Sequence, residues 1–205
     1  MSKEGTIRKR IFTVLFMFLV TLVFISITTV IYTFSKDTIR FNEALRLKKA
    51  ILYAAGVPLP EDPQEIENEY KRRVDTVQDS DGTVKYYLVR GDDPSTVRSY
   101  VFVALGSGLW GEITAAVGYD ASGERIAGLE IIDQTETPGL GGRIGEEWFK
   151  EQFRGKKYPL STVAEGEAAG ENEFQAITGA SYSTAAIKDI VNSASEKVSS
   201  LLRKE

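Results

Sequence analysis

Residues 84–133 read VKYYLVRGDDPSTVRSYVFVALGSGLWGEITAAVGYDASGERIAGLEIID. Four short runs in this stretch, VKYYLVRG, SYVFVALG, EITAAVGYD and RIAGLEIID, are rich in β-branched and aromatic residues. GDDPST, GSGLWG and DASGE separate them, and each is turn chemistry. The stretch reads as an antiparallel sheet of about four strands. Gly106–Gly111 satisfies the pattern G-x-G-x-x-G, which in a dinucleotide fold opens a helix. Here the next residues, EITAAVGYD, are another strand, so the glycines read as a hairpin connection.

Helices flank this sheet. Ile187, Ile190, Val191, Ala194, Val198, Leu201 and Leu202 follow i, i+3, i+4, i+7 spacing, which lays one apolar stripe on the sheet. Before it come a short helix in EEWFKEQFRGKK, ended by Gly155, and a Gly/Glu-rich loop, AEGEAAGENE. On the other side, KDTIRFNEALRLKKAILYAAG reads as a helix closed by Gly56 with Pro58 beyond it. PLPEDPQ is a loop, and EIENEYKRRVDTV (residues 65–77) reads as a second, polar helix. The expected class is α+β, an antiparallel sheet packed by helices.

Residues 11–35, IFTVLFMFLVTLVFISITTVIYTFS, hold no charge over 25 positions. About 20 apolar residues span a bilayer core, so this run is long enough to cross one with some tilt. A signal peptide also begins with basic residues. Its apolar region, however, is usually about 7–15 residues and ends in a small-residue cleavage site, which FSKDTIRF does not offer. An uncleaved anchor is expected. Arg8, Lys9 and Arg10 before the run, against Lys36 soon after it, place the N-terminus in the cytoplasm. Thr13, Thr21, Ser26, Thr28 and Thr29 either bond partner helices or bond their own preceding turn.

Charge is uneven along the chain. Five of the 25 basic residues but one of the 29 acidic residues lie in 1–36, which leaves 20 basic against 28 acidic in 37–205, a net of −8. An acidic soluble portion argues against nucleic acid, whose phosphates require clustered Lys and Arg. The chain has no Cys and no His. That excludes disulfides, Cys-bound zinc, thiolate-held iron–sulfur clusters, histidine-held haem and a Ser-His-Asp triad.

Two further motifs carry chemistry. Glu136-Thr-Pro-Gly-Leu-Gly-Gly142 follows a strand and is either a loop needing positive φ or one whose N–H groups approach a ring or an anion. Ile177-Thr-Gly-Ala-Ser-Tyr-Ser-Thr184 opens the last helix with four hydroxyls. One hydroxyl would serve as N-cap; the surplus stands where free N–H groups and the helix dipole form a phosphate site. The residues alone leave the two readings balanced.

GSGLWGEI, QTETPGLGG and ITGASYST, in that order before a final helix, resemble the FMN-binding domain of respiratory complexes. The similar proteins are the C subunit of the Na+-translocating NADH:quinone reductase (Nqr) and the G subunit of the Rnf complex. The resemblance covers nearly the whole chain and implies the following organisation: a cytoplasmic tail (1–10), a transmembrane helix (11–35), a helical connector (36–80) and an FMN-binding domain (81–205). It implies FMN joined through a phosphodiester to Ser181 by a flavinyltransferase, with Thr178, Gly179, Ala180, Ser183 and Thr184 around the phosphate. Glu136, Thr137, Gly139 and Leu140 would lie closest to the ring, and Leu109 and Trp110 would form an apolar wall. It implies an electron-relay subunit with no catalytic or metal-ligating residue of its own. Its partners would be other membrane subunits of such a complex and the lipid bilayer of a bacterial or archaeal plasma membrane. The similar motif usually reads Asp-x-x-Ser/Thr-Gly-Ala-Thr; this chain has Gln175 and Ser181 at its ends. A stand-alone extracytoplasmic flavin carrier and a tethered binding or sensor module without flavin are the alternatives.

Overall fold

The computed structural model describes residues 3–203. They divide into two units at Ala44/Leu45. The first lies within helix α1 (Lys3–Ala54), which holds the apolar run and continues without interruption through Lys36, so the two helices expected on either side of that residue are one. No Gly or Pro occurs between Thr6 and Ala55 to break it. By length and composition α1 can cross a membrane, with a mean hydropathy of 2.7 over an apolar window that is entirely exposed. Thr13, Thr21, Ser26, Thr28 and Thr29 all donate to the carbonyl four residues back, at 2.8–3.0 Å. They bond their own preceding turns.

The second unit is built on an antiparallel meander of β1 (Val74–Gln78), β2 (Val84–Arg90), β3 (Val97–Ser107), β4 (Glu112–Asp120) and β5 (Ile126–Asp133), side by side in chain order. That is one strand more than the sequence suggested. The extra strand comes from the end of the expected helix 65–77. Helix α2 (Pro63–Arg73) starts where the Asp62 carboxylate accepts the Gln64 N–H at 2.6 Å, but it stops at Arg73. Val74, Thr76 and Val77 then pair with Val89, Tyr87 and Tyr86. β-branched residues lose rotamer freedom in a helix and pack well on a pleated surface, so ladder pairing overrides the helical charge pattern.

Both faces of the central strands are covered, which explains why β4 reads as nearly continuous apolar sequence. Tyr100, Phe102, Ala104, Ile113, Ala115, Val117 and Tyr119 share a core with helix α4 (Ser181–Leu202), through its Ile187, Ile190, Val191, Ala194 and Val198. Tyr87, Val89, Val101 and Ala116 meet Ala50, Ile51, Leu52 and Ala54 from the end of α1, together with Ile66 of α2. The expected connector residues from Leu45 onward therefore belong to the compact unit. Gly118 is what lets α1 sit on β4, since a Cβ there would overlap the Ala54 carbonyl. Tyr53 fixes the same helix end: its hydroxyl lies between Glu147 and Glu151, and Lys150 and Arg154 stack over its ring.

A 3-10 helix (Gly141–Gly145) and α3 (Glu147–Glu151) follow the sheet, so the helix expected in 146–157 is a short one. Phe149 and Phe153 are buried against Phe174. β6 (Ser161–Val163) and β7 (Glu173–Gln175) form a small parallel pair on either side of the Gly/Glu-rich loop and lead the chain into α4.

Candidate functional site

Three loops meet at the start of α4. They are the β3–β4 turn at 108–111, the 134–140 loop after β5, and residues 176–180 between β7 and α4. The β3–β4 turn is the hairpin its sequence suggests, closed by Gly108 N–H donating to the Gly111 carbonyl at 2.8 Å.

Glu136 ties the loops together. It is 5% exposed, and its carboxylate accepts the Trp110 N–H at 2.9 Å and the Ser183 hydroxyl. A Cβ on Gly108 would stand 2.6 Å from one of its oxygens, and a Cβ on Gly141 would stand 2.7 Å from the other. Both glycines are thus explained by close approach to a buried carboxylate. Burial opposes the charge on Glu136, yet hydrogen bonds from Ser183, Trp110 and Leu109 outweigh it and hold the carboxyl below its ordinary pKa.

Glu136→Ala is expected to leave the buried Ser183 hydroxyl and the part-buried Trp110 N–H without their acceptor, at about 1–3 kcal/mol each. For a chain of this size a total near 3 kcal/mol lowers Tm by about 6–12 °C. Glu136→Gln is expected to cost about 1 kcal/mol, because an amide oxygen still accepts from Trp110 while its NH2 can donate to Ser183. Thermal melts of the two variants check the difference.

The first turn of α4 separates the four hydroxyls. Its N-cap is Ala180, with no side-chain cap hydrogen bond. The Thr184 N–H makes the first helical bond, to the Ala180 carbonyl at 3.0 Å. Helix geometry leaves the N–H groups of Ser181, Tyr182 and Ser183 without intrahelical acceptors. The N-cap explanation of the hydroxyls therefore does not hold.

Ser183 and Thr184, expected beside a phosphate, turn inward and are 2% and 3% exposed. Ser183 serves Glu136, and the Thr184 hydroxyl accepts the Ile177 N–H at 3.2 Å. Ala180 is buried too. Thr178 and Ser181 face outward.

The converging loops and the first turn of α4 carry exposed apolar side chains. Leu109, Trp110, Leu140 and Tyr182 are 55%, 69%, 45% and 70% exposed. Gly139 and Gly179 take φ of +75° and +79°, the left-handed region that turns their loops without strain. The loops touch, since a Cβ on Gly179 would lie 3.3 Å from a Leu140 methyl. Thr137 lies exposed on the same loop, whereas Glu136 beneath it is committed to the scaffold. Tyr182 was not singled out in the sequence. Its signal was an aromatic in the first turn of α4, off the apolar stripe.

The arrangement suits a phosphorylated planar ring. A 22-residue helix presents uncapped N–H groups and the positive end of its dipole to an anion, beside exposed apolar side chains. Residues 108–196 match the FMN-binding domain family. The family match takes in the β3–β4 turn, the 134–140 loop and the start of α4, so FMN is the cofactor indicated for this domain.

Over 116 residues the chain is 34% identical to the C subunit of the Na(+)-translocating NADH-quinone reductase of Yersinia pestis, an alignment covering 54% of this chain and 43% of that protein. It is 41% identical over 88 residues to the G subunit of the Na(+)-translocating ferredoxin:NAD(+) oxidoreductase complex of Acetobacterium woodii, covering 42% of each. The chain thus spans less than half the length of these curated relatives. The crystal structure of the Parabacteroides distasonis C subunit of the Na(+)-translocating NADH-quinone reductase superposes with a TM-score of 0.65 at 22% identity, covering 80% of this chain and 94% of that one. The Shewanella oneidensis protein NqrC gives 0.63 at 18% identity, covering 71% and 88%. The fold of this chain is the one those structures share.

Proposed function

We propose that this chain is a membrane-anchored flavoprotein subunit that relays electrons through FMN in an ion-translocating NADH:quinone or ferredoxin:NAD oxidoreductase. The observation that carries the reading is the uncapped start of α4, where Ser181 is exposed and the converging loops carry exposed apolar side chains, inside the matched region. The names of the relatives support the larger assembly.

Ser181 is the attachment point. Its side chain is exposed, and none of the hydrogen bonds that fix Ile177, Thr178, Ser183 and Thr184 involves it. A flavinyltransferase acting on FAD would form the Ser181 Oγ–phosphorus bond and break the pyrophosphate bond. AMP would leave, and the hydroxyl proton would pass to the transferase. No oxidation is involved. The N–H groups of Ser181, Tyr182 and Ser183 would stabilise the phosphate charge. Leu109, Trp110, Leu140 and Tyr182 would exclude water from one side of the ring, and Gly139 would let the loop backbone approach it.

FMN supplies redox chemistry that joins two-electron donors to one-electron acceptors. The chain contributes position and electrostatics, with no general acid or base of its own. The basic triplet Arg8–Arg10 supports an N-terminus in the cytoplasm and a domain outside, with the other subunits as membrane partners.

The test is to co-produce the full chain with a flavinyltransferase and titrate the purified protein with a reductant. A flavin spectrum that persists after denaturation and bleaches reversibly is expected. A folded protein that stays colourless after transferase and FAD treatment contradicts the reading.

A further inference from the structure

Residues 176–180 enter α4 through a chain of satisfied amides. Ala176 N–H donates to the Val163 carbonyl at 2.8 Å, Ile177 N–H to the Thr184 hydroxyl at 3.2 Å, and Ala180 N–H to the Ile177 carbonyl at 3.0 Å. Thr178 N–H takes a different acceptor, the Glu165 carboxylate at 2.8 Å. Glu165 comes from the Gly/Glu-rich loop, outside every motif read from the sequence.

That carboxylate is itself held. Arg143 reaches it with both terminal guanidinium nitrogens, at 2.9 and 3.4 Å, from the 3-10 helix that follows the 134–140 loop. Arg143 also stacks on Trp148 at 5.1 Å. The loop carrying Glu165 is clasped by the Gln175 amide, whose oxygen accepts the Gly166 N–H at 3.0 Å and whose NH2 donates to the Glu167 carbonyl at 2.9 Å. The Arg143–Glu165–Thr178 chain therefore ties the 3-10 helix that follows the 134–140 loop to the 176–180 segment, three residues ahead of Ser181.

We propose that Glu165, gripped by Arg143, is the positioning residue for modification of Ser181: it fixes Thr178 so that Gly179 turns the chain and Ser181 enters α4 with its hydroxyl presented outward. This rests on the FMN reading above. The pair is partly solvent-exposed, 26% and 28%, and exposed ion pairs contribute little to global stability. Its role is local order. The same contacts hold the Glu165 carboxyl down to about 2, so the acceptor is ionised at any working pH.

The test compares full-length wild type, Glu165→Ala, Glu165→Gln and the double variant Arg143→Glu/Glu165→Arg. Each is incubated with flavinyltransferase and FAD, and covalent flavin per folded chain is followed by intact mass. Hydrogen exchange of the 176–183 segment is measured in parallel. Glu165→Ala should label at least about tenfold more slowly, with faster exchange in 176–183 and unchanged exchange in 187–202. Glu165→Gln, which keeps an acceptor oxygen, should recover most of the rate. The charge swap restores an ion pair but places a guanidinium, which cannot accept an N–H, at Thr178, so it should remain slow.

Wild-type rates in Glu165→Ala, or full recovery by the charge swap, overturn the assignment. If label fails to attach to the wild-type chain, the FMN reading falls and this assignment falls with it. Label on wild type together with an unaffected Glu165→Ala removes the assignment alone.

Discussion

Gly118→Ala is expected to lower the Tm of the soluble unit by about 10 °C or more. The position lies in the middle of β4, where the end of α1 crosses the sheet. A methyl group there would overlap the Ala54 carbonyl oxygen and crowd the Ala54 carbonyl carbon. Both are backbone atoms, so no side chain can rotate away. Neighbouring Gly128 on β5 faces the same helix end, with a Cβ position 3.0 Å from the Tyr53 and Ala54 carbonyl oxygens. Relief therefore requires α1 to lift, which would open the core formed by Ile51, Leu52, Val101 and Ala116. Overpacking usually costs about 1–3 kcal/mol, and a backbone clash in a two-sided core belongs at or beyond the upper end. Gly145→Ala, where a Cβ meets nothing within 4 Å, is the control and should melt within about 2 °C of wild type. Circular-dichroism melts in detergent separate the two.

Ser181→Ala is expected to abolish covalent flavin while leaving the fold intact. The side chain is exposed, and the helix start relies on Ala180, Ser183 and Thr184 for its bonds. Removing one surface hydroxyl should move Tm by less than about 2 °C. Ser181→Thr retains a hydroxyl at the same carbon and should retain labelling. Ser183→Ala should show the opposite profile. It strips a donor from buried Glu136 and so costs stability of about 1–2 kcal/mol, while Ser181 remains available. Comparing fluorescence on a denaturing gel with melting temperature for the three variants distinguishes an attachment residue from a scaffold residue. That distinction is invisible in the sequence, where the two serines stand two positions apart.

Acid should lower the stability of the domain only modestly through its carboxylates, because the ion pairs concerned are partly exposed. Those of Glu151 and Glu165 are held down to about 2, chiefly by hydrogen bonds from Arg154 and Arg143 respectively. A carboxyl whose folded pKa is depressed contributes stability above its unfolded pKa and loses it as pH falls through the folded value. Tm is therefore expected to hold steady above about pH 5 and to fall between about pH 4.5 and 2. The chain has no His and no Cys, so no side chain of ordinary pKa titrates between about pH 5 and 8 to add a second transition. Melts across that range check it.

The sheet was legible because alternating apolar residues and turn clusters carry their own geometry, and the stripe from Ile187 to Val198 gave the face of α4 in the same way. β1 was not. Charged residues on α2 ran into VDTV without a turn, and pairing with β2 decided the boundary. The site was legible as three motifs but not as roles. Glu136 reads as part of a ligand loop, yet it is spent on Trp110 and Ser183. Whether a hydroxyl at a helix start points in or out depends on where the stripe falls, and that placed Ser183 and Thr184 inside. Glu165 gave no signal, because its partners Arg143 and Thr178 are brought to it only by the fold. Gln175, a departure from the motif the sequence resembles, clasps the loop that delivers Glu165.

The most direct measurement is peptide mapping of the full chain after co-production with a flavinyltransferase. Tryptic cleavage after Lys157 and Lys188 releases residues 158–188, which contain every hydroxyl of the ITGASYST motif. Fragmentation of that peptide should place a mass equal to FMN less water on Ser181. Flavin on Thr178, Ser183 or Thr184, or an unmodified peptide from folded and transferase-treated protein, would contradict the account.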